Sequence, residues 1–189
     1  IGSGDTPVYT LGRKMARLAT MRTSIHRIRS LVRGEVVEYE EGVNVNIWSK
    51  RDIPIYTSAE GPKTLKMSGE IADGVIVGSG VYKETVEWVL RHLNDGIAER
   101  QDNLGAMDII FGAVVSVDRD GHAAREKVRS RVANRAHHNF RMTLDSVPEE
   151  YQPEIQNLLD NFDVSNWRHP KHVPLITDYI LDRFTITGT

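Results

Sequence analysis

The stretch from Ile53 to Gly80, IPIYTSAEGPKTLKMSGEIADGVIVGSG, constrains the fold of this chain more than any other. Its apolar start, Ile53-Pro54-Ile55-Tyr56, reads as a strand with proline near its beginning. Thr57-Ser58-Ala59-Glu60-Gly61 follows as a loop of small residues. Pro62 then stands where a first helical residue would, its φ already helical and its missing N–H no loss. Leu65, Met67, Ile71 and Ala72 line one broad face of a short helix. Asp73-Gly74 stops it, and Val75-Ile76-Val77 is a second buried strand ending at Gly78-Ser79-Gly80. The predicted unit is strand–helix–strand.

The first loop of that unit has the chemistry of an anion site. A helix start leaves backbone N–H groups without internal partners, and the helix dipole adds a partial positive charge there. Gly61 removes the side chain that would hold a phosphate away from the backbone. Ser58 and Thr64 add hydroxyls, and Lys63 adds a charge in the first turn. An ordinary βα loop with a proline-started helix accounts for the same residues. Both readings stay open on spacing alone, since phosphates do bind at helix N-termini.

Around this unit the chain alternates. Ile1-Gly2 reads as the end of a strand without an initiator methionine, and Ser3-Gly4-Asp5 as a tight turn from which Asp5 projects. Leu11, Met15, Leu18, Met21, Ile25, Ile28 and Val32 predict an amphipathic helix ending at Gly34. Residues 35–48 switch to alternation around Glu41-Gly42, a hairpin. Val86, Val89, Leu90, Leu93 and Ile97 mark another helix, with Trp88 near its edge. Met107 to Val117 is the strongest strand, interrupted only by Gly112 and Ser116. A long basic helix from about His122 to Leu144 follows, then a helix carrying Ile155, Leu158 and Leu159, a helix from Leu175 to Leu181, and a strand from Phe184.

Alternating buried strands and amphipathic helices imply an α/β fold with parallel strands. Five barrel-type strands can be counted, at Ile1, Ile53, Val75, Met107 and Phe184, in 189 residues, whereas an eightfold barrel needs about 250. The expectation is an open sheet, or part of a barrel whose start lies outside the chain.

Composition removes several classes. A net charge of −2 gives no argument for nucleic acid, and the absence of cysteine excludes disulfides and thiolate metal sites. No apolar stretch approaches a membrane span and no signal-peptide pattern opens the chain, so a cytoplasmic protein is expected. His137 and His138 are adjacent on a helix and point to different faces, and His169 and His172 lack a carboxylate at ligand spacing. No metal site is expected. Walker, Rossmann and G-x-S-x-G motifs are absent.

The combination of Ile1-Gly2-Ser3-Gly4-Asp5, Leu11-Gly12-Arg13-Lys14, Pro54-Ile55-Tyr56, Gly61-Pro62-Lys63-Thr64-Leu65 and Gly69-Glu70-Ile71-Ala72-Asp73-Gly74-Val75 resembles the bacterial-luciferase-like flavin oxidoreductases. It is most similar to their deazaflavin (coenzyme F-420) branch, which includes methylenetetrahydromethanopterin reductase. The resemblance implies a (β/α)8 TIM barrel, of which residues 1–189 would supply about strand four to strand eight. The hairpin 35–48 and the helical segment 122–182 would be insertions. It implies that Ser58, Ala59, Glu60, Gly61, Lys63 and Thr64 hold the cofactor phosphate. Ser3 and Asp5 would lie beside the flavin or deazaflavin ring, with Asp5 moving a proton. Asp5 stands where some relatives have Glu, and Val8 where some have a ring-contacting Asn.

Three functions follow from the resemblance. The first is hydride transfer between coenzyme F-420 or FMN and a small organic substrate. The second is an FMN-dependent monooxygenase supplied by a flavin reductase. The third is a non-catalytic barrel that binds flavin or phosphate. A homodimer or larger assembly is expected, because the hairpin and the long helix place apolar residues outside the barrel layers.

Overall fold

A computed structural model describes residues 1–4, 8, 11–48, 50–100 and 104–189. In chain order they form α1 (Leu18–Val32), the hairpin β1 (Val37–Glu40) and β2 (Val43–Val45), β3 (Tyr56–Ser58), α2 (Pro62–Ile71), β4 (Gly74–Val77), α3 (Lys83–Ile97), β5 (Asp108–Phe111), β6 (Val114–Val117), α4 (Gly121–Thr143), α5 (Gln152–Asn161), α6 (Asp178–Phe184) and β7 (Thr185–Gly188).

The expected strand–helix–strand unit is present. β3, β4 and β5 are parallel neighbours, with Thr57 opposite Val75 and Val75 opposite Ile109. Ile1 runs beside β3: its amino group donates to Tyr56 O (2.6 Å) and its carbonyl accepts from Ser58 N–H (2.8 Å). β6 and β7 form a separate parallel pair. The hairpin forms as expected within residues 35–48.

Several sequence expectations are corrected. Strand β3 begins at Tyr56, not Ile53, because Pro54 has no N–H to give and Ile55 N–H donates to Asp73 Oδ2 at 2.7 Å instead of to a neighbouring strand. Ser58, read as loop, therefore closes the strand. Helix α1 begins at Leu18, not Leu11: Gly12 sits at φ +64°, a turn conformation that ends any helix through it, and Leu11 is left exposed. The run from Met107 to Val117 divides in two, since β5 pairs with β4 while β6 pairs with β7. At the break Gly112 N–H donates to Val77 O (2.9 Å). The last helix starts at Asp178, after a 3-10 turn over Pro170–Leu175, with Thr177 Oγ1 accepting from Ile180 N–H. Trp88, expected at a helix edge, is buried, and its Nε1–H donates to Asp145 Oδ2 (3.3 Å).

Helices α2 and α3 cross with almost no side chain between them. A Cβ on Gly69 would lie 2.5 Å from Leu93 O and 2.9 Å from Ile97 N, and one on Gly96 would run into Lys66 O. The carbonyls at the end of α2 are met by two guanidinium groups. Arg29 donates to Ile71 O (2.9 Å), and Arg100 to Gly69 O (2.9 Å) and Ala72 O (2.5 Å), where the negative end of the helix dipole favours a cation. Asp73 accepts from Arg29 (2.7 Å) as well as from Ile55 N–H, and Glu70 pairs with Arg22.

The strands are not buried on both faces as the sequence suggests. Ile76 and Ile110, opposite each other across β4 and β5, are 45% and 43% exposed, and Val115, Val117 and Ile186 more so. The opposite face carries Val75 and Val77 into a core with Leu65, Trp88, Val89 and Leu93. A larger core joins α4, α5 and α6 through Val132, Ala136, Phe140, Ile155, Leu158, Ile180 and Phe184. No described helix is long and apolar enough to cross a membrane.

Candidate functional site

A pocket of about 310 Å³ opens where β3 ends and α2 begins. Gly2, Ser3 and Gly4 line it from the start of the chain, with Met15 beside them. Ser58, Ala59, Glu60, Gly61 and Thr64 line it from the β3–α2 turn, and His138 and Met142 from α4.

The turn is built to present backbone. Ala59 N–H donates to Ile76 O (3.2 Å), which carries the strand pairing one residue past β3. Gly61 is the N-cap of α2, at φ −81° and ψ 154°, and no side chain caps the helix. Pro62 has no N–H, so the free donors of the first turn are those of Lys63 and Thr64. The turn is braced from below: Thr57 Oγ1 donates to Ser68 Oγ (2.7 Å), and Ser68 Oγ donates to Thr64 O (2.7 Å), with Thr57 and Ser68 fully buried. A Cβ on Gly61 would only touch Met142, 3.6 Å from its Cβ and Sδ, so glycine is not required there for packing. Its effect is on the width of the pocket.

On the opposite rim, Gly4 takes φ +112°, and a Cβ there would fall 2.5 Å from Val8 Cγ2. Both facts tie this turn to glycine. Ser3 Oγ lies 3.8 Å from Met15 Sδ. Asp5, the expected proton-moving group, lies outside the described residues.

Of the residues anticipated from sequence, the structure brings Ser3, Ser58, Ala59, Glu60, Gly61 and Thr64 to one pocket. Lys63 is not among the lining residues; its side chain is exposed to solvent. Glu60 needs an explanation, because a carboxylate opposes an anion. Its Oε2 accepts from Asn139 Nδ2 (3.0 Å), and its Oε1 faces Gly78, over which the Arg135 guanidinium also lies. Arg135 Nε donates to Gly78 O (2.9 Å). A side chain on Gly78 would collide with both Glu60 and Arg135. Glu60 is thus turned toward α4 and a cation.

The contribution of α4 was missed from sequence. Arg131, Arg135, His138 and Met142 recur at four, seven and eleven residues, a single stripe of a helix, with Asn139 at its edge. The spacing was available in the sequence, but nothing there showed that this stripe crosses the strand ends. His137 points the other way: it is 8% exposed and stacked on Phe162 (4.5 Å between ring centroids), and burial pushes its pKa down to about 4. Among the described residues no group of three or more His, Asp or Glu is placed to hold a metal.

The arrangement can hold an anionic group against two free N–H donors and up to three hydroxyls, with polar and thioether side chains closing over it. Its volume is at the lower end of the range for small-molecule sites, about 300–1,000 Å³. That suits the phosphate end and adjoining chain of a cofactor rather than a whole one.

Several known proteins are similar to this chain. The 5,10-methylenetetrahydromethanopterin reductase of Archaeoglobus fulgidus is 28% identical over 200 residues, which cover 100% of this chain and 59% of that protein. An F420-dependent glucose-6-phosphate dehydrogenase of Beutenbergia cavernae is 31% identical over 121 residues, 60% of this chain and 36% of that one. The solved structure of the coenzyme F420-dependent tetrahydromethanopterin reductase from Methanopyrus kandleri superposes with a TM-score of 0.69 at 23% identity, over 99% of this chain and 60% of that one. The chain therefore spans about three fifths of the length of the two reductases, and its fold is that of the luciferase-like TIM barrels. The strand face left exposed is the one a closed barrel turns inward. With the profile of the luciferase-like monooxygenases matched from residue 1 to residue 189, this chain belongs to that family.

Proposed function

We propose that the chain carries the cofactor seat of an oxidoreductase that moves a hydride between coenzyme F-420 and a small organic substrate, with residues 1–189 forming about strand four to strand eight of its barrel. The observation that carries this reading is the uncapped start of α2, which faces a pocket with Ser3, Ser58 and Thr64 on its walls. The F420-dependent activities named for the similar proteins support the choice of cofactor.

When bound, the deazaflavin ring supplies the hydride chemistry. The chain's own residues then bind and orient. Lys63 and Thr64 N–H groups, with the Ser58 and Thr64 hydroxyls, hold the phosphate. Gly61 leaves it room to reach the backbone, and Asn139 holds Glu60 aside. Met142 and His138 exclude water from above, and Gly2 to Gly4 form the far wall, on the side where the resemblance puts the ring. Asp5, next along the chain, keeps the proton-moving role implied by the resemblance. A second reading, an FMN-dependent monooxygenase, is favoured by the description of the matched family; oxygen uptake with reduced FMN distinguishes it.

Titration of FMN, riboflavin and coenzyme F-420 into wild type, Thr64→Ala and Gly61→Val tests the seat. Thr64→Ala removes one charge-assisted hydrogen bond, about 1.5–3 kcal/mol, and weakens phosphate-bearing ligands roughly ten- to a hundredfold. Gly61→Val weakens them further. Riboflavin affinity barely changes in either variant. Equal affinity of wild type for FMN and riboflavin would remove the phosphate seat.

A further inference from the structure

The stripe on α4 that closes the candidate pocket continues to a second cleft. Seven residues before His138, about 10 Å along the helix, Arg131 faces a cleft of about 660 Å³ that is also lined by Val114, Ser130, Trp167 and Arg168. The charges here differ from those on the preceding turns of the helix. Arg125 pairs with Asp178 and Asp182, Lys127 with Asp118, and Arg129 with Glu126 and Asp178. Among the described residues, Arg131 and Arg168 have no carboxylate partner and no acidic side chain lines the cleft. The Arg168 guanidinium lies over the Trp167 ring, 4.4 Å from its centroid, which orients its N–H edge. Two guanidinium groups, a hydroxyl and an indole around an apolar floor favour a carboxylate or phosphate, which guanidinium binds in two-point geometry.

We propose that this cleft is a second anion site, taking a carboxylate- or phosphate-bearing ligand beside Trp167. The anion has two sources: the anionic end of a ligand that lies along α4 from the candidate pocket, or a separate small acid. The proposal does not depend on the identity of the cofactor.

The test is a fluorescence titration with citrate and with inorganic phosphate. Citrate quenches wild type but not Trp167→Phe, and its affinity falls as salt rises, as an interaction between exposed charges requires. Arg131→Ala with Arg168→Ala weakens citrate at least tenfold. Arg119→Ala, which alters an exposed arginine outside the cleft, changes nothing. All four residues are on the surface, and circular dichroism verifies that each variant is folded. Absence of a Trp167-dependent signal with either probe, or equal affinity in the double variant, overturns the site. Competition then assigns the source. Displacement of citrate by coenzyme F-420 and not by FMN identifies an anionic tail reaching along α4, and displacement by neither identifies a separate acid. Failure of coenzyme F-420 to bind at all bears on the proposed function and leaves the citrate result intact.

Discussion

Between Ile53 and Ile97 the chain packs backbone against backbone, whereas between Gly121 and Phe184 it packs large side chains around buried polar groups. In the first region Gly69 and Gly96 let α2 and α3 touch, and Arg29 and Arg100 meet the exposed end of α2. In the second, Phe140 meets Phe184 edge-on, and the wholly buried Arg183 lies over the Phe140 ring (4.9 Å), donating to Ser146 Oγ (2.6 Å). Burial lowers the pKa of that guanidinium, though not to where it would lose its charge. The contrast shows where recognisable sequence comes from. Close backbone contact tolerates only glycine, so the first region is written in a few obligatory residues. A side-chain core accepts many combinations of similar volume.

The largest expected effect is in the second region. Phe140→Ala empties a fully buried site and should destabilise by about 3–5 kcal/mol. Urea denaturation gives the total, and hydrogen exchange shows where it falls. Protection should drop across α4, α5 and α6 while β4 and α3 keep theirs. Equal loss in both regions would make them one cooperative unit and end the comparison.

Next comes Gly69→Ala. Its added methyl meets backbone on α3, which cannot rotate aside, and overpacking of this kind costs about 1–3 kcal/mol. Gly121→Ala is the control, since its Cβ would meet only Thr189 Cγ2 at 3.9 Å. Thermal unfolding should show a lower Tm for Gly69→Ala alone. Similar values for both would mean that α2 and α3 separate at little cost.

These two regions were unequally legible. The helix from Pro62 and the strand at Val75-Ile76-Val77 follow from proline, glycine and a short apolar run, and the structure has both, the strand beginning one residue earlier, at Gly74. The motif Gly69-Glu70-Ile71-Ala72-Asp73, which carries much of the family resemblance, proves architectural: it contains the crossing glycine, the partner of Arg22 and the acceptor that fixes Ile55. The pocket turn was legible for the same reason, as a helix start without a cap. The limits of the reading lay in tertiary contacts. Asn139, Thr143 and Arg183 are polar and fully buried, which no periodicity of apolar residues can reveal. Gly112 marks the point where one strand changes neighbours, a fact set by the sheet and not by the residue.

The smallest expected effect tests one of the contacts that join the two regions. Asn139 donates through Nδ2 to Glu60 Oε2 (3.0 Å), and its Oδ1 accepts from Thr143 Oγ1 (2.8 Å). The second bond fixes which end of the amide faces the pocket. A hydrogen bond to a charged group contributes roughly 1.5–3 kcal/mol, and partial exposure of Glu60 places this one at or below the lower end. A double-mutant cycle with Glu60→Ala and Asn139→Ala should therefore give a coupling of about 1 kcal/mol in urea denaturation. Thr143→Val keeps shape but removes the hydroxyl, so the amide can turn and the coupling should shrink without vanishing. Zero coupling in wild type would mean that Asn139 does not hold Glu60, leaving the bond from Arg135 to Gly78 O as the tie between α4 and the strand ends. The Glu60 carboxylate would then be free to turn toward the helix start, where it would oppose the anion that the first turn of α2 otherwise favours.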